Sequence, residues 1–134
     1  MRKRVVAYVT RERDGATELL VFEHRDHPTA GVQVPAGRAD PGETLEQTLR
    51  RELHEESGIE DAVVVRELSR PTWPAKYENH AFEVRSTGDL PDTWAHEVHG
   101  KGDDAGLVFL YRWEPVRPDL DLFDRRDPIL EELS

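Results

Sequence analysis

The chain has 134 residues, a length at which one domain can bury its own core, so we expect a single domain over residues 1–134. It contains no cysteine, which excludes disulfides and thiolate metal sites, and its formal charge of −10 argues against a nucleic-acid-binding surface. No apolar run is long enough for a membrane span or a signal peptide, so we expect a cytoplasmic location and no membrane partner.

The N-terminal part is predicted to form a β-hairpin. Residues 5–10 and 18–24 are rich in apolar and β-branched side chains, and Gly15 lies in the turn between them. Arg25 follows the second strand and has the geometry to bind a substrate phosphate, although a solvated loop charge is the alternative. Residues 32–36 predict a further short strand that ends at a proline and leads into an acidic stretch.

The acidic stretch is predicted to contain a helix over residues 44–57. Thr44 and Gln47 have the spacing of a capping box, which satisfies backbone N–H groups at the start of a helix. Leucines recur every fourth residue, and Gly58 suits the left-handed position just after a helix end. The local rules therefore define both ends of this helix.

Three glutamates share one face of this helix. At about 100° per residue, Glu52, Glu55 and Glu56 border the leucine stripe instead of lying opposite it. Like charges at this spacing destabilise a helix unless something positive offsets them, and hard divalent cations such as Mg²⁺ take oxygen ligands. The pattern favours a metal site, with an ordinary acidic surface as the alternative.

The full pattern over residues 37–59 resembles the Nudix box at nine positions, with no gap. They are Gly37, Glu43, Arg51, Glu52, Leu53, Glu55, Glu56, Gly58 and Ile59. The resemblance implies that Glu52, Glu55 and Glu56 bind Mg²⁺ or Mn²⁺, joined by the carbonyl of Gly37. It also implies that Arg51 orients a carboxylate and that Glu43 is a supporting partner outside the metal shell.

The second half of the chain is expected to complete a sheet. Residues 62–68 predict a buried strand, 76–85 another strand, 107–113 a central strand and 127–133 a short terminal helix capped by Asp127. Strands mixed with a central and a terminal helix suggest an α/β fold. The resemblance implies the same class, a Nudix-type α/β/α sandwich around a mixed β-sheet.

Residues 86–106 are predicted to form a long irregular segment, which in a small domain is usually functional or mobile. Nudix hydrolases often use a glutamate about forty residues beyond the box as a metal ligand or general base, and Glu97 has that spacing. A solvated loop acid is the alternative. His96 and His99 could instead bind a transition metal, although the box supplies a site for harder ions.

The resemblance implies metal-dependent hydrolysis of a phosphoanhydride in a nucleoside diphosphate linked to another group. Glu55, Glu56, Glu97 and Arg51 are the candidate catalytic residues, and Mg²⁺ is the expected cofactor, with Mn²⁺ as the alternative. Arg25, Trp73, Tyr77 and Trp94 are candidates to bind the substrate, the aromatics by stacking on a base. We expect a nucleotide-type small molecule as partner and consider a homodimer. The alternative function is a Nudix-fold sensor that binds a nucleotide without cleaving it.

Overall fold

The computed structural model describes residues 1–133, which form a seven-stranded mixed sheet, a small two-stranded sheet and one α-helix. The strands are β1 (Lys3–Arg13), β2 (Ala16–His24), β3 (Ala36–Arg38), β4 (Ala62–Glu67), β5 (Glu78–Ser86), β6 (Thr93–Glu97), β7 (Val108–Pro115), β8 (Asp121–Leu122) and β9 (Arg125–Arg126). The helix α1 spans Leu45–Ser57, and 3₁₀ helices span Pro28–Ala30 and Pro128–Glu132.

The large sheet has the order β4-β5-β1-β2-β7-β6, with β3 paired to β1. Strands β1 and β5 are parallel and the other pairs are antiparallel, so the sheet is mixed as predicted. Strand β7 lies inside the sheet, between β2 and β6, because its backbone pairs on both edges. The α/β fold class is confirmed.

Each face of the sheet has its own apolar core, because successive residues of a strand point to opposite faces. Val5, Ala7 and Val9 of β1 pack with Leu49 and Leu53 of α1. The other face is covered by the C-terminal segment, in a cluster of Val6, Tyr8, Leu120, Leu122, Ile129, Leu130 and Leu133. The second outer layer is therefore a 3₁₀ turn and the β8–β9 hairpin, in place of a full α-helix.

The ends of α1 form as the sequence indicates. Gln47 N–H donates to the Thr44 hydroxyl at 3.2 Å, and Thr44 N–H donates to the Gln47 side chain at 2.9 Å. Gly58 has a φ of 81° and donates its N–H to the His54 carbonyl. These contacts fix where the helix begins, and so which of its residues face the sheet.

Three of the predicted elements are wrong in detail. Residues 86–106 are not irregular throughout, since they contain strand β6. In this strand Trp94 and His96 alternate with exposed neighbours, and the strand pairs with β7. Strand β4 is a sheet edge, so Val63 and Val65 are about half exposed instead of buried (50% and 48%). Residues 32–35 contribute only one bridge, between Gln33 and Phe22.

The structure has no membrane-spanning helix among residues 1–133, since no helical segment there combines the needed length and hydrophobicity.

Candidate functional site

The three box glutamates line a cleft of about 760 Å³ between α1, β3 and the loop that joins β6 to β7. Glu56 is buried, while Glu52 and Glu55 are partly exposed at the cleft wall. Helix α1 packs against β3, which brings Gly37 next to these side chains. The fold thus brings these residues of the box together in one concave site.

Gly37 is required by the position of Glu52. A methyl group built on Gly37 would lie 1.9 Å from the Glu52 carboxyl carbon, so any larger residue would displace that side chain. The neighbouring Ala36 N–H donates to Glu56 Oε1 at 3.2 Å. Strand β3 therefore positions two of the three carboxylates through its backbone.

Arg51 connects the acidic residues of the cleft. Its guanidinium donates to Glu43 at 2.7 and 2.9 Å, to Glu52 at 2.8 Å and to Glu55 at 3.2 Å. It also donates to the Arg38 carbonyl at 2.9 Å. The hydrogen bond from Arg51 holds the pKa of Glu43 at about 2, and those from Glu43 raise the pKa of Arg51.

Glu52 and Glu56 are carboxylates in a poorly solvated place. Burial raises the pKa of Glu56 well above its usual value, and the charge of Glu52 raises it further. Burial also raises the pKa of Glu52, against the opposing effect of Arg51. Negative charges in such a site need compensation, which a bound cation would supply.

The donor set suits a hard divalent cation, because it consists of carboxylate oxygens and the nearby backbone of β3. As the side chains stand in residues 1–133, no group of three acidic or histidine residues converges on one point. Glu55 is drawn toward Arg51 and Gly100: a methyl group built on Gly100 would lie 2.6 Å from its carboxyl carbon. A cation held by all three glutamates would therefore require their carboxylates to move from these positions.

The structure does not bring Glu97 to the cleft. This residue ends β6, is exposed, and follows His96, whose Nε2 lies 3.0 Å from the Glu55 carbonyl oxygen. Alternation along the strand then directs Glu97 to the opposite face of the sheet. Asp103 and Asp104 of the following loop line the cleft instead, and the charge of Asp104 contributes to the raised pKa of Glu56.

The two histidines proposed as transition-metal ligands do not form such a site in residues 1–133. Their rings are 5.2 Å apart, and burial lowers the pKa of His96. No third acidic or histidine ligand joins them among the described residues. His96 packs at the end of α1, where its ring nitrogen contacts the helix backbone.

Of the four predicted substrate contacts, only Tyr77 lines the cleft. Trp94 stacks on Tyr111 with ring centroids 4.9 Å apart, and its Nε1 donates to the Ser57 carbonyl at 3.0 Å. Arg25 is exposed and pairs with Asp26. Trp73 lines a second, smaller cavity. The expectations for Trp94 and Arg25 are not supported by their positions.

The sequence reasoning missed the basic residues that surround the cleft. They are Arg2, Arg4, Arg38, Lys76 and Lys101, in addition to Arg51. They come from four separate segments of the chain, so no local sequence motif indicates that they lie together. Their charges are placed to attract an anionic ligand toward the glutamates.

Comparison with known proteins gives a family and a fold. An RNA pyrophosphohydrolase from Rhodopseudomonas palustris (strain BisB18) is 29% identical over 129 residues, covering 84% of this chain and 71% of that protein. The solved structure of an Ap4A hydrolase from C. elegans is similar with a TM-score of 0.57 and 20% identity, covering 87% of this chain and 81% of that chain.

An ADP-ribose pyrophosphatase structure from Streptococcus suis gives a TM-score of 0.63 at 14% identity, covering 98% of this chain and 86% of that chain. At these identities, the two structural similarities support the fold alone. The sequence model of the NUDIX domain, however, matches residues 1–128. The chain therefore belongs to the Nudix family, which confirms both the resemblance of its box and the predicted enzyme class.

Proposed function

We propose that this protein is a single-domain, metal-dependent pyrophosphohydrolase that cleaves a phosphoanhydride in a nucleoside diphosphate linked to another group. The observation that supports this most is the arrangement of Glu52, Glu55 and Glu56 beside Gly37 in a cleft with a basic rim. A carboxylate cluster alone would repel phosphates, whereas carboxylates with a cation and surrounding basic groups would bind them. Mg²⁺ is the proposed cofactor, with Mn²⁺ as the alternative.

The chain supplies the ligands and the surrounding charge. Glu52, Glu55, Glu56 and the Gly37 carbonyl would hold the cation, which when bound neutralises phosphate oxygens and lowers the pKa of a water. Arg51 would orient Glu52 and Glu55 through its hydrogen bonds, and Glu43 would hold Arg51 in turn. Tyr77, Lys76 and Lys101 would contact the substrate.

A carboxylate in the β6–β7 loop would accept the proton from the attacking water. Asp104 is favoured because it lines the cleft and lies near Glu56, whereas Glu97 is exposed beyond it. A general base contributes about 10²- to 10⁴-fold to such reactions. The base role therefore moves from the predicted Glu97 to a residue seven positions along the chain.

We expect metal-dependent release of a nucleoside monophosphate or of phosphate from at least one diphosphate-containing compound. The panel would include a nucleoside triphosphate, a dinucleoside polyphosphate, a nucleotide sugar and a 5′-triphosphorylated oligonucleotide, each assayed with Mg²⁺, Mn²⁺ or EDTA. Turnover that persists in EDTA would contradict the metal dependence. Tight binding in Ca²⁺ without cleavage of any compound in Mg²⁺ or Mn²⁺ would favour the sensor function.

We expect Asp104→Asn to lower kcat by about 10²-fold or more, in line with the loss of a general base. Glu97→Gln, the matched change in the same region, should leave kcat within about twofold because the Glu97 side chain is exposed and outside the cleft. Steady-state kinetics at several pH values would measure both. The reverse pattern would restore Glu97 as the base and rule out Asp104.

A cytoplasmic location, which the sequence composition led us to expect, and a homodimer are further proposals. Light scattering coupled to size exclusion measures the assembly directly, and a single monomeric peak over a wide range of concentrations would exclude the dimer.

A further inference from the structure

The C-terminal turn of α1 carries two of the proposed cation ligands, Glu55 and Glu56. The last four carbonyl groups of an α-helix have no partner within the helix, so their donors must come from elsewhere. The Gly58 N–H donates to the first of them, the His54 carbonyl, at 3.0 Å. The remaining three carbonyls, on residues 55–57, therefore need donors from outside the helix.

Two aromatic side chains supply the donors for the last two carbonyls. The Tyr111 hydroxyl donates to the Glu56 carbonyl at 2.8 Å, and Trp94 Nε1 donates to the Ser57 carbonyl at 3.0 Å. The Trp94 and Tyr111 rings stack with an angle of 11° between their planes, and the Phe22 ring lies 5.2 Å from that of Tyr111. Both donor groups are therefore held in place by close packing.

The carbonyl of Glu55 accepts two hydrogen bonds, both from the other side of the same junction. His96 Nε2 lies 3.0 Å from this oxygen, and the His99 backbone N–H donates to it at 2.9 Å. A carbonyl oxygen can only accept, so Nε2 of His96 carries the hydrogen in this contact. His99 begins the segment that carries Asp104 to the cleft. The same carbonyl thus fixes where this segment leaves the sheet.

These contacts hold the backbone of residues whose side chains are held from the opposite side. Glu56 accepts from Tyr111 through its carbonyl and from the Ala36 N–H through its carboxylate. Glu55 likewise accepts from His96 through its carbonyl and from Arg51 through its carboxylate. Helix ends fray when their terminal groups lack partners, and a displacement of about 1 Å in a functional group can reduce a rate by about 100-fold. The direction of both side chains therefore depends on these backbone contacts.

The residue types at this helix end also suit a neighbouring cation. Lysine and arginine are common partners of the last carbonyls of a helix, because their charge opposes the helix dipole. Such a charge would repel a cation held by Glu55 and Glu56. The indole of Trp94 and the hydroxyl of Tyr111 satisfy the same carbonyls without a charge. The junction is therefore compatible with a bound cation close by.

We propose that Trp94, His96 and Tyr111 are positioning residues for the metal site, which keep Glu55 and Glu56 directed into the cleft by holding the last three carbonyls of α1. The inference rests on the proposed function, because it concerns the cation that these glutamates would hold. None of the three donors lines the cleft, so their effect on a cation passes through the helix backbone. A merely structural role would lower stability without changing the cation affinity of the folded protein.

The first test compares two changes of tyrosine to phenylalanine. Tyr111→Phe removes the hydroxyl that reaches Glu56 and keeps the ring. Tyr8→Phe is the matched control, because Tyr8 is also buried and its hydroxyl donates to Asp127 on the other face of the sheet. The free Mn²⁺ signal in electron paramagnetic resonance gives the Mn²⁺ dissociation constant, with Glu56→Gln as the background for other acidic groups. Urea unfolding in EDTA gives the stability of each variant.

We expect both tyrosine variants to unfold at lower urea concentration than the wild type, since each loses a buried hydrogen bond. Only Tyr111→Phe should weaken Mn²⁺ binding, by about tenfold or more, as changes to groups that orient metal ligands do. Tyr8→Phe should keep the dissociation constant within about twofold. Wild-type affinity in Tyr111→Phe, or an equal loss in both variants, would overturn the proposal.

The second test uses the indole and imidazole donors. Trp94→Phe should weaken Mn²⁺ binding by about tenfold, whereas Trp113→Phe should not, because Trp113 Nε1 donates at the same 3.0 Å distance to the Pro91 carbonyl, away from α1. His96→Gln keeps an N–H donor and should retain more Mn²⁺ affinity than His96→Leu. Equal losses in the two tryptophan variants, or equal affinities in the two His96 variants, would contradict positioning through these hydrogen bonds.

The same samples distinguish this proposal from the proposed function. If the variants lose Mn²⁺ as expected but the wild type cleaves no compound of the panel, the positioning role stands and the hydrolase function fails. If the wild type cleaves a diphosphate compound and all variants bind Mn²⁺ as tightly as it does, the hydrolase function stands and the positioning role fails. A wild type that binds no Mn²⁺ above the Glu56→Gln background would overturn both.

Discussion

Replacing Glu56 with glutamine is expected to lower the rate of hydrolysis strongly and, in metal-free buffer, to raise the free energy of unfolding. Glutamine keeps the oxygen that accepts from Ala36 N–H at 3.2 Å, so the shape of the site should persist. It removes a buried carboxyl group whose pKa is raised by burial and by the charge of Glu52. We therefore expect activity to fall by about 10²-fold or more while stability without metal increases by about 1 kcal/mol.

The two effects are measured separately. Single-turnover assays in Mg²⁺ give the activity, and urea unfolding in EDTA and in Mg²⁺ gives the stability. Wild type should gain stability when Mg²⁺ is added, because a ligand that binds only the folded state stabilises it, and Glu56→Gln should gain much less. Glu46→Gln is the matched control, since Glu46 is an exposed glutamate of the same helix whose one ion pair within residues 1–133 is with Arg50, at 3.6 Å. Equal stabilisation by Mg²⁺ in wild type and Glu56→Gln would show that Glu56 is not a metal ligand.

The expected opposition between stability and activity has a physical basis in the burial of two of the site's carboxylates. Glu52 and Glu56 are carboxylates whose charged forms are disfavoured by burial, yet the fold keeps them there. Arg51 offsets part of the cost, and Gly37 leaves the space that Glu52 occupies. The proposed cation and anionic substrate would compensate the charges of a site arranged in this way.

Local features of the chain could be predicted from the sequence because they depend on near neighbours. The capping box of Thr44 and Gln47, the left-handed Gly58 and the shared face of the box glutamates all follow from spacing within one helix. Strand β6 was not predicted because its pattern of exposed and partly buried residues is short and lies on a sheet edge. Strand β6 forms because it pairs with β7, and its own composition does not specify it.

The second cavity could not be predicted for a different reason. Arg4 and Phe123 are far apart in the chain and meet only because the C-terminal segment crosses the open face of the sheet. Trp73 was identified as a candidate for stacking on a base, but nothing in its neighbourhood indicated its partners Phe123 and Arg125. Contacts at such separation depend on the whole topology, which local patterns do not encode.

Replacing Arg51 with methionine is expected to destabilise the fold by about 2 kcal/mol at neutral pH. The same change is expected to reduce activity. Methionine keeps the unbranched stem and a good helix propensity, so the change removes mainly the guanidinium. Glu43, Glu52 and Glu55 then lose their shared partner, which leaves carboxylates at the cleft wall without compensation. The Arg51 side chain is 27% exposed, so solvent screening keeps the loss of stability below that expected for breaking a fully buried ion pair.

The pH dependence of this loss tests its cause. In the wild type, the pKa of Glu43 is depressed to about 2, so its contribution is fully present above the unfolded-state pKa of about 4.3 and is lost as the pH falls toward 2. The difference in stability between wild type and Arg51→Met should therefore be constant near neutral pH and shrink below about pH 4. Urea unfolding from pH 7 to pH 3 measures it. Arg50→Met is the control on the same helix, because Arg50 donates to the Ala62 carbonyl and does not contact the cleft carboxylates. A difference that stays constant to pH 3, or an equal loss in Arg50→Met, would mean that Arg51 acts through packing instead of through the charges of Glu43, Glu52 and Glu55.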